Sequence, residues 1–176
     1  MIPSRRVFDE YASDYDTWFD EHDDVFQAQQ RMLRAAIPHQ GQGLEVGVGS
    51  GRFAVPSGTR YGIDPSRELI RIAKRRGIEG VRGEGEHLPY RTSSFDYVLI
   101  MTVICFLDDV TAVFREVNLV LKPGGILIIG FIEKDGEIYR IYLGETTKGR
   151  FLRVVHFRTA EEVEGFSGMR DLRRFL

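Results

Sequence analysis

The chain has 176 residues, 43% of them hydrophobic and 28% charged, with a formal net charge of −2. This describes one globular domain large enough to bury a full core, without the basic excess that marks a nucleic-acid binder. Its single cysteine, Cys105, excludes an intrachain disulfide and a CxxC metal site, and fits a reducing compartment.

In chain order, Met1-Ile2-Pro3-Ser4-Arg5-Arg6 lacks a signal peptide's hydrophobic region, and no apolar run is long enough to span a membrane. A cytoplasmic location is therefore expected. Two helices are predicted first, over Val7–Phe19 and Val25–Ile37, the second closed by Pro38 and Gly41. Tyr11, Tyr15 and Trp18 or Phe19 recur at helical spacing and share one face. The acids Asp14, Asp16, Asp20, Glu21, Asp23 and Asp24 form either a solvated face or an attractor for a cationic substrate.

Strand and helix signals then alternate. Strands are predicted near residues 43–47, 60–63, 80–82, 96–101 and 125–132, with helices near 66–76 and 108–121. That alternation implies a mainly parallel sheet covered by helices on both faces. The first strand runs through Leu44-Glu45-Val46 into Gly47-Val48-Gly49-Ser50-Gly51. Glycines at alternate positions admit a ligand where a Cβ would block it, at a strand's C-terminal end. Pro56 and Gly58 leave room for only about one helical turn after this loop, so its backbone amides are expected to be the main donors. The second strand ends in Asp64, followed by Pro65 and Ser66 as a helix start. Asp64 is placed either to receive ribose hydroxyls or to cap that helix. Lys74, Arg75 and Arg76 precede Gly77 and suit the negative end of the helix dipole.

Further on stand Gly83-Glu84-Gly85-Glu86-His87-Leu88-Pro89, Phe95-Asp96 and Leu121-Lys122-Pro123-Gly124-Gly125. Met101 and Thr102 close the fourth strand, at the crevice where open α/β sheets bind ligands. Ile104 and Phe106 are read as pocket wall or core, and Cys105 as a small buried hydrophobe. Arg150–Phe157 is the only strand-like stretch late in the chain. Thr159-Ala160-Glu161-Glu162 then opens a helix with capping-box spacing.

Taken in order, Glu45-x-Gly-x-Gly-x-Gly51, Asp64-Pro-Ser, Gly83-Glu-Gly-Glu-x-Leu-Pro89, Phe95-Asp96 and Leu121-Lys-Pro-Gly-Gly125 resemble the class I S-adenosylmethionine-dependent methyltransferases of the small-molecule type. The resemblance covers roughly residues 5–160. It implies a Rossmann-like three-layer α/β sandwich with a mainly parallel sheet, whose C-terminal antiparallel strands are here reduced or missing. It implies one domain over 1–176, comprising an N-terminal helical lid (1–40), a cofactor-binding core (41–132) and a truncated C-terminal part (133–176).

The cofactor implied is S-adenosylmethionine, with S-adenosylhomocysteine as product. By resemblance Gly47, Gly49 and Gly51 line the cofactor loop, and Asp64 binds the ribose. Glu45 faces the cofactor's ammonium or, alternatively, caps loop amides. Glu84 and Gly85 lie at the adenine, where the family more often has aspartate and alanine. Met101 flanks the methionine part or packs in the core. Tyr11 and Tyr15 belong to a Tyr-x-x-x-Tyr-Asp-x-Trp lid pattern.

The expected reaction is in-line displacement of a methyl group onto a small-molecule acceptor, with no metal and no assigned catalytic base. An Asn/Asp-Pro-Pro-Tyr/Phe motif and a Pro-Cys pair are both missing, which argues against DNA methylation. Arg52 stands where a dinucleotide loop needs glycine. The alternative reading is a non-catalytic S-adenosylmethionine-binding protein or a subunit of a heteromeric methyltransferase. An exposed sheet edge would invite a homodimer or a covering helix.

Overall fold

A computed structural model describes residues 4–134, 136, 139–140 and 155–167. The first predicted helix is divided in two: α1 (Ser4–Glu10) and α2 (Ala12–Glu21) meet at Tyr11, whose ψ of 30° is not helical. The bend lets the two segments dock on different partners, described below. Helix α3 (Asp23–Ala36) follows after His22 and ends at Ile37, whose extended conformation precedes Pro38.

The core alternates as expected: β1 (Gly43–Val46), α4 (Ala54–Ser57), β2 (Tyr61–Asp64), α5 (Arg67–Arg75), β3 (Glu79–Arg82), β4 (Phe95–Met101), α6 (Val110–Val120) and β5 (Leu121–Gly130). All neighbouring strands pair in parallel, in the order β3-β2-β1-β4-β5. Chain direction reverses its lateral progress at β1, so β1 and β4 flank the switch point where such sheets bind ligands. The helix after the glycine loop is a single turn, as Pro56 and Gly58 require.

Side-chain alternation along the strands divides the core. Leu44, Val46, Ile63, Val98 and Ile100 pack against Val113, Phe114 and Val117 of α6. On the other face Tyr97, Leu99, Met101 and Ile128 meet Phe19, Phe26 and Leu33 of α2 and α3. Glu45 pairs with Gly62 on one side and Leu99 on the other, which places its side chain on the α2–α3 face.

Helix α7 (Ala160–Ser167) closes on α6 through Val163. Its capping box is formed: the Thr159 amide donates to Glu162 Oε2 at 2.8 Å and the Glu162 amide to Thr159 Oγ1 at 3.2 Å. Among the described residues no antiparallel strand completes the sheet; a parallel bridge between Glu133 and Arg158 lies beyond β5. Of the strand-like stretch, residues 150–154 lie outside the described residues, and Val155, His156 and Phe157 are not in a strand.

Candidate functional site

The glycine loop leaves β1 through three left-handed residues, Gly47, Gly49 and Gly51. Four of its amides, those of Gly47, Val48, Gly49 and Gly51, are engaged by acceptors within the protein. Gly47 and Val48 both donate to the Ile63 carbonyl, at 2.8 and 3.0 Å. The Gly49 amide donates to Asp64 Oδ2 at 2.9 Å, and the Ser66 amide to Asp64 Oδ1 at 2.8 Å. The loop-bracing part that the sequence left open for Glu45 therefore falls to Asp64. The cap of α5 is Ser66, whose hydroxyl accepts from the Leu69 amide. Each Asp64 oxygen keeps acceptor capacity beyond its one amide. Burial pushes the Asp64 carboxyl up to about 6, against the pull of the Ser66 and Gly49 amides.

Glu45 lies on the same face of the sheet, 1% exposed, with Oε2 lacking any hydrogen-bond partner. Burial, reinforced by the nearby Asp64 charge, raises its pKa well above the ordinary carboxyl range. An orphaned acid inside a protein is costly unless a cation or donor meets it. A primary ammonium supplies both.

The N-terminal helices roof this crevice. Tyr15 lies over the loop: a Cβ on Gly49 would sit 3.4 Å from its ring. Phe106, Phe8, Tyr15 and Phe19 make successive edge contacts with centroids 5.1–5.3 Å apart, an arc running from beyond β4 across the loop. Tyr11 sits at the bend instead, its hydroxyl donating to Glu10 in an exposed bond. Trp18 stacks on His22 at 4.4 Å.

Two carboxylates fasten the roof. On α1, Asp9 accepts from the Ser66 hydroxyl at 2.7 Å, at the start of α5. On α2, Asp16 accepts both Arg76 Nη1 and Nη2 at 2.7 Å and Arg52 Nε at 2.9 Å. Arg52 also donates to both oxygens of Asp20, and Arg76 to the Ser50 carbonyl. Burial opposes ionisation of Asp16, but the hydrogen bonds from Arg76 and Arg52 outweigh it and hold the carboxyl well below the usual range. Asp16 is thus an internal anchor and not a solvated member of that run, whereas Asp20, though paired with Arg52, keeps a side chain that is 65% exposed. Arg76, read from sequence as a dipole partner, spans from α5 to the glycine loop and α2.

Glu84 is exposed, and Gly85 is buried where a Cβ would come within 2.9 Å of Val46, too close for the family's usual alanine. Met101 is 7% exposed and packs in the core, its sulfur turned toward Gly130. Next to it Thr102 holds φ at +57°, a strained setting for a β-branched residue. Val103 then packs against Gly47, joining the end of β4 to the loop. Cys105 is half-buried, and burial pushes its thiol up to about 12.

Asp9, Phe8 and Arg52 were missed as site residues. Arg52 had a signal, its position directly after the loop; Asp9 and Phe8 had none, because their partners are distant in sequence. Among the described residues no cluster of His, Cys, Asp or Glu could hold a metal ion. No helix there is long and apolar enough to cross a membrane.

The crevice and its order of strands agree with the comparisons to known proteins. Residues 44–129 match the model of a methyltransferase domain. The protein MJ1123 of Methanocaldococcus jannaschii is 41% identical over 157 residues, covering 89% of this chain and 76% of its own. The crystal structure of a Thermotoga maritima S-adenosylmethionine-dependent methyltransferase, named a possible histamine N-methyltransferase, superposes with a TM-score of 0.87 at 33% identity. That match covers 93% of this chain and 78% of the other. Demethylmenaquinone methyltransferase of Staphylococcus aureus is 31% identical over 97 residues, 48% of this chain and 40% of its own. The chain belongs to the class I S-adenosylmethionine-dependent methyltransferase family, and its cofactor is S-adenosylmethionine.

Proposed function

We propose that this chain transfers a methyl group from S-adenosylmethionine to a small-molecule acceptor. The observation that carries the reading is the unpartnered Oε2 of the buried Glu45, beside Asp64 beneath a glycine loop at the sheet's switch point. In this reading Glu45 meets the cofactor's ammonium and Asp64 takes the ribose hydroxyls while still bracing Gly49. Gly47, Gly49 and Gly51 line the cofactor side of the loop, their left-handed conformations letting Val103, Tyr15 and Ile78 pack against them, and Glu84 and Gly85 border the adenine. Bound there, S-adenosylmethionine supplies a methyl already activated on a sulfonium.

The chain's own task is alignment and exclusion of water, since a well-held pair of reactants gains most of its rate from orientation. Tyr15, with Phe8 and Phe106, forms the dry roof, and its ring faces suit a cationic sulfur. Tyr11 is a weaker contact in this scheme, lying at the bend of the lid formed by residues 1–40. Core residues 41–132 carry the cofactor and 133–176 the remainder of one domain. No side chain is assigned as a base.

A small acceptor is favoured because the chain has no basic stripe and a cytoplasmic setting suits its lone thiol. Calorimetry with both cofactor forms, followed by S-adenosylhomocysteine release across a panel of amines, phenols and thiols, tests the reading. Turnover with one class supports it. Cofactor binding with no release against any acceptor would favour the non-catalytic binder or heteromeric subunit.

A further inference from the structure

Asp9 stands on α1, in the roof, yet its hydrogen-bond partners belong to the start of α5. Its Oδ1 accepts from the Ser66 hydroxyl at 2.7 Å and, at the longer distance of 3.4 Å, from the Glu68 amide. Ser66 is buried, and its own amide donates to Asp64 Oδ1 at 2.8 Å. The three residues form one chain from the lid helix to the carboxyl assigned to the ribose. Because the Ser66 oxygen also accepts from the Leu69 amide, its single proton is directed to Asp9.

The charges around Asp64 are uneven. Besides Asp9 on α1, the ionisable groups on the elements that meet it are Glu45 on β1, Arg82 on β3, Arg67 and Glu68 on α5, and Glu84 just after β3. The glycine loop adds none. Arg82, level with Asp64 in the sheet, donates to the Pro65 carbonyl at 3.2 Å. Burial and then the Asp9 charge make the Asp64 carboxyl hold its proton, against the pull of the Ser66 and Gly49 amides. The charged side chain that acts on Asp64 therefore comes from the lid and not from the sheet.

We propose that Asp9 is a positioning residue for the cofactor, acting on Asp64 through its charge and through Ser66, so that the ribose displaces a proton from the crevice. The proposal rests on the methyltransferase reading above. Ribose hydroxyls donate to Asp64, so they bind its ionised form and disfavour the protonated one. With Asp9 docked alongside, the empty crevice favours the proton. Cofactor entry therefore sends that proton from Asp64 to solvent. Affinity rises with pH until Asp64 is already ionised before the ligand arrives. Docking of α1 and capture of the ribose are thereby coupled through one proton.

The test uses the full chain with ¹³C-carboxyl-labelled aspartate, and S-adenosylhomocysteine, whose ammonium and carboxylate stay ionised between about pH 5 and pH 7. The Asp64 signal is identified by its loss in Asp64→Asn. In the ligand-free wild type it should titrate at about 6, and in Asp9→Asn at least about half a pH unit lower. Asp9→Asn keeps an acceptor for the Ser66 hydroxyl, so it removes the charge and leaves the tie. Near the wild-type midpoint the ligand should move the Asp64 signal to its ionised position. Calorimetric heats should then depend on the buffer's ionisation enthalpy, as the buffer takes up the proton. Wild-type affinity should be at least about tenfold weaker at pH 5 than at pH 7, a ratio that narrows about twofold in Asp9→Asn. Glu45 answers to burial and to Asp64, so its own contribution is common to both proteins. An Asp64 signal that titrates at the same pH in Asp9→Asn, or that the ligand leaves unmoved, would overturn the proposal. So would an equal loss of affinity at every pH, the mark of an anchor that acts only on the fold. Failure of the wild type to bind S-adenosylhomocysteine at any pH would instead strike the methyltransferase reading beneath it.

Discussion

Glu45 and Asp64 face the same crevice, yet they carry different duties. Asp64 is tied to two backbone amides, so part of its charge is spent on holding the loop in shape. Glu45 has no such tie on Oε2 and stays protonated more readily. Glu45→Gln should therefore leave the thermal midpoint of the ligand-free protein unlowered. Its affinity for S-adenosylmethionine, measured by calorimetry, should fall about 10- to 100-fold, the loss of one charged hydrogen bond.

The raised Asp64 pKa also fixes a pH signature. A carboxyl that holds its proton more tightly when folded contributes stability that is complete below the unfolded value of 3.8. That contribution is lost as pH rises through about 6. Melting curves of ligand-free Asp64→Asn should accordingly fall less steeply than wild type across that window. Asp16 acts with the opposite sign, its contribution vanishing only as acid protonates it. An unchanged slope in Asp64→Asn would show that this carboxyl titrates as it does in the unfolded chain.

At the scale of elements, the N-terminal helices are fastened to the cofactor core at separate points. Asp9 anchors α1 to the start of α5, and Asp16 anchors α2 to the loop's far side. The Asp16, Arg52 and Arg76 side chains are each less than one-third exposed. Breaking the cluster should cost about 2–3 kcal/mol, between the exposed and fully buried ranges. Arg52→Ala should also hasten cofactor release about tenfold, because Tyr15 on α2 lies against Gly49. Trp18, the single tryptophan, sits on α2 and reports that motion by stopped-flow fluorescence. Release no faster than wild type would dissociate the ion cluster from the roof.

These tertiary links explain what the sequence could and could not disclose. The parallel core was legible because strand periodicity, the loop glycines, Asp64-Pro-Ser and the one-turn limit set by Pro56 and Gly58 are local signals. The break at Tyr11 was not, because its cause is docking of α1 and α2 on different distant partners. The engagement of the Gly47, Val48 and Gly49 amides was hidden for a similar reason: their acceptors, Ile63 and Asp64, lie on β2. Which acid of the run serves as the anchor could not be read without knowing that Arg52 and Arg76 converge on Asp16.

At the scale of the whole molecule, the described sheet has β3 and β5 as its margins. β5 is the longest strand, and no further strand pairs with its outer side among the described residues. The expectation for such an edge is a second copy or a covering helix, as unpaired strand margins favour strand addition, and the second copy is the one tested by mass. Light scattering coupled to size exclusion should give a mass near twice 20.2 kDa. A mass of one chain at every concentration tried would remove the homodimer from consideration.

Arg76 has a reach that extends past the crevice itself. One guanidinium holds the Ser50 carbonyl and the Asp16 carboxylate together, so whatever steadies residues 47–51 also steadies the polypeptide upstream of β1. Occupancy by the nucleoside should be felt by a protease: cleavage within the first forty or so residues should slow in proportion to saturation. In Arg76→Met that protection should disappear, even with the ligand added to full occupancy.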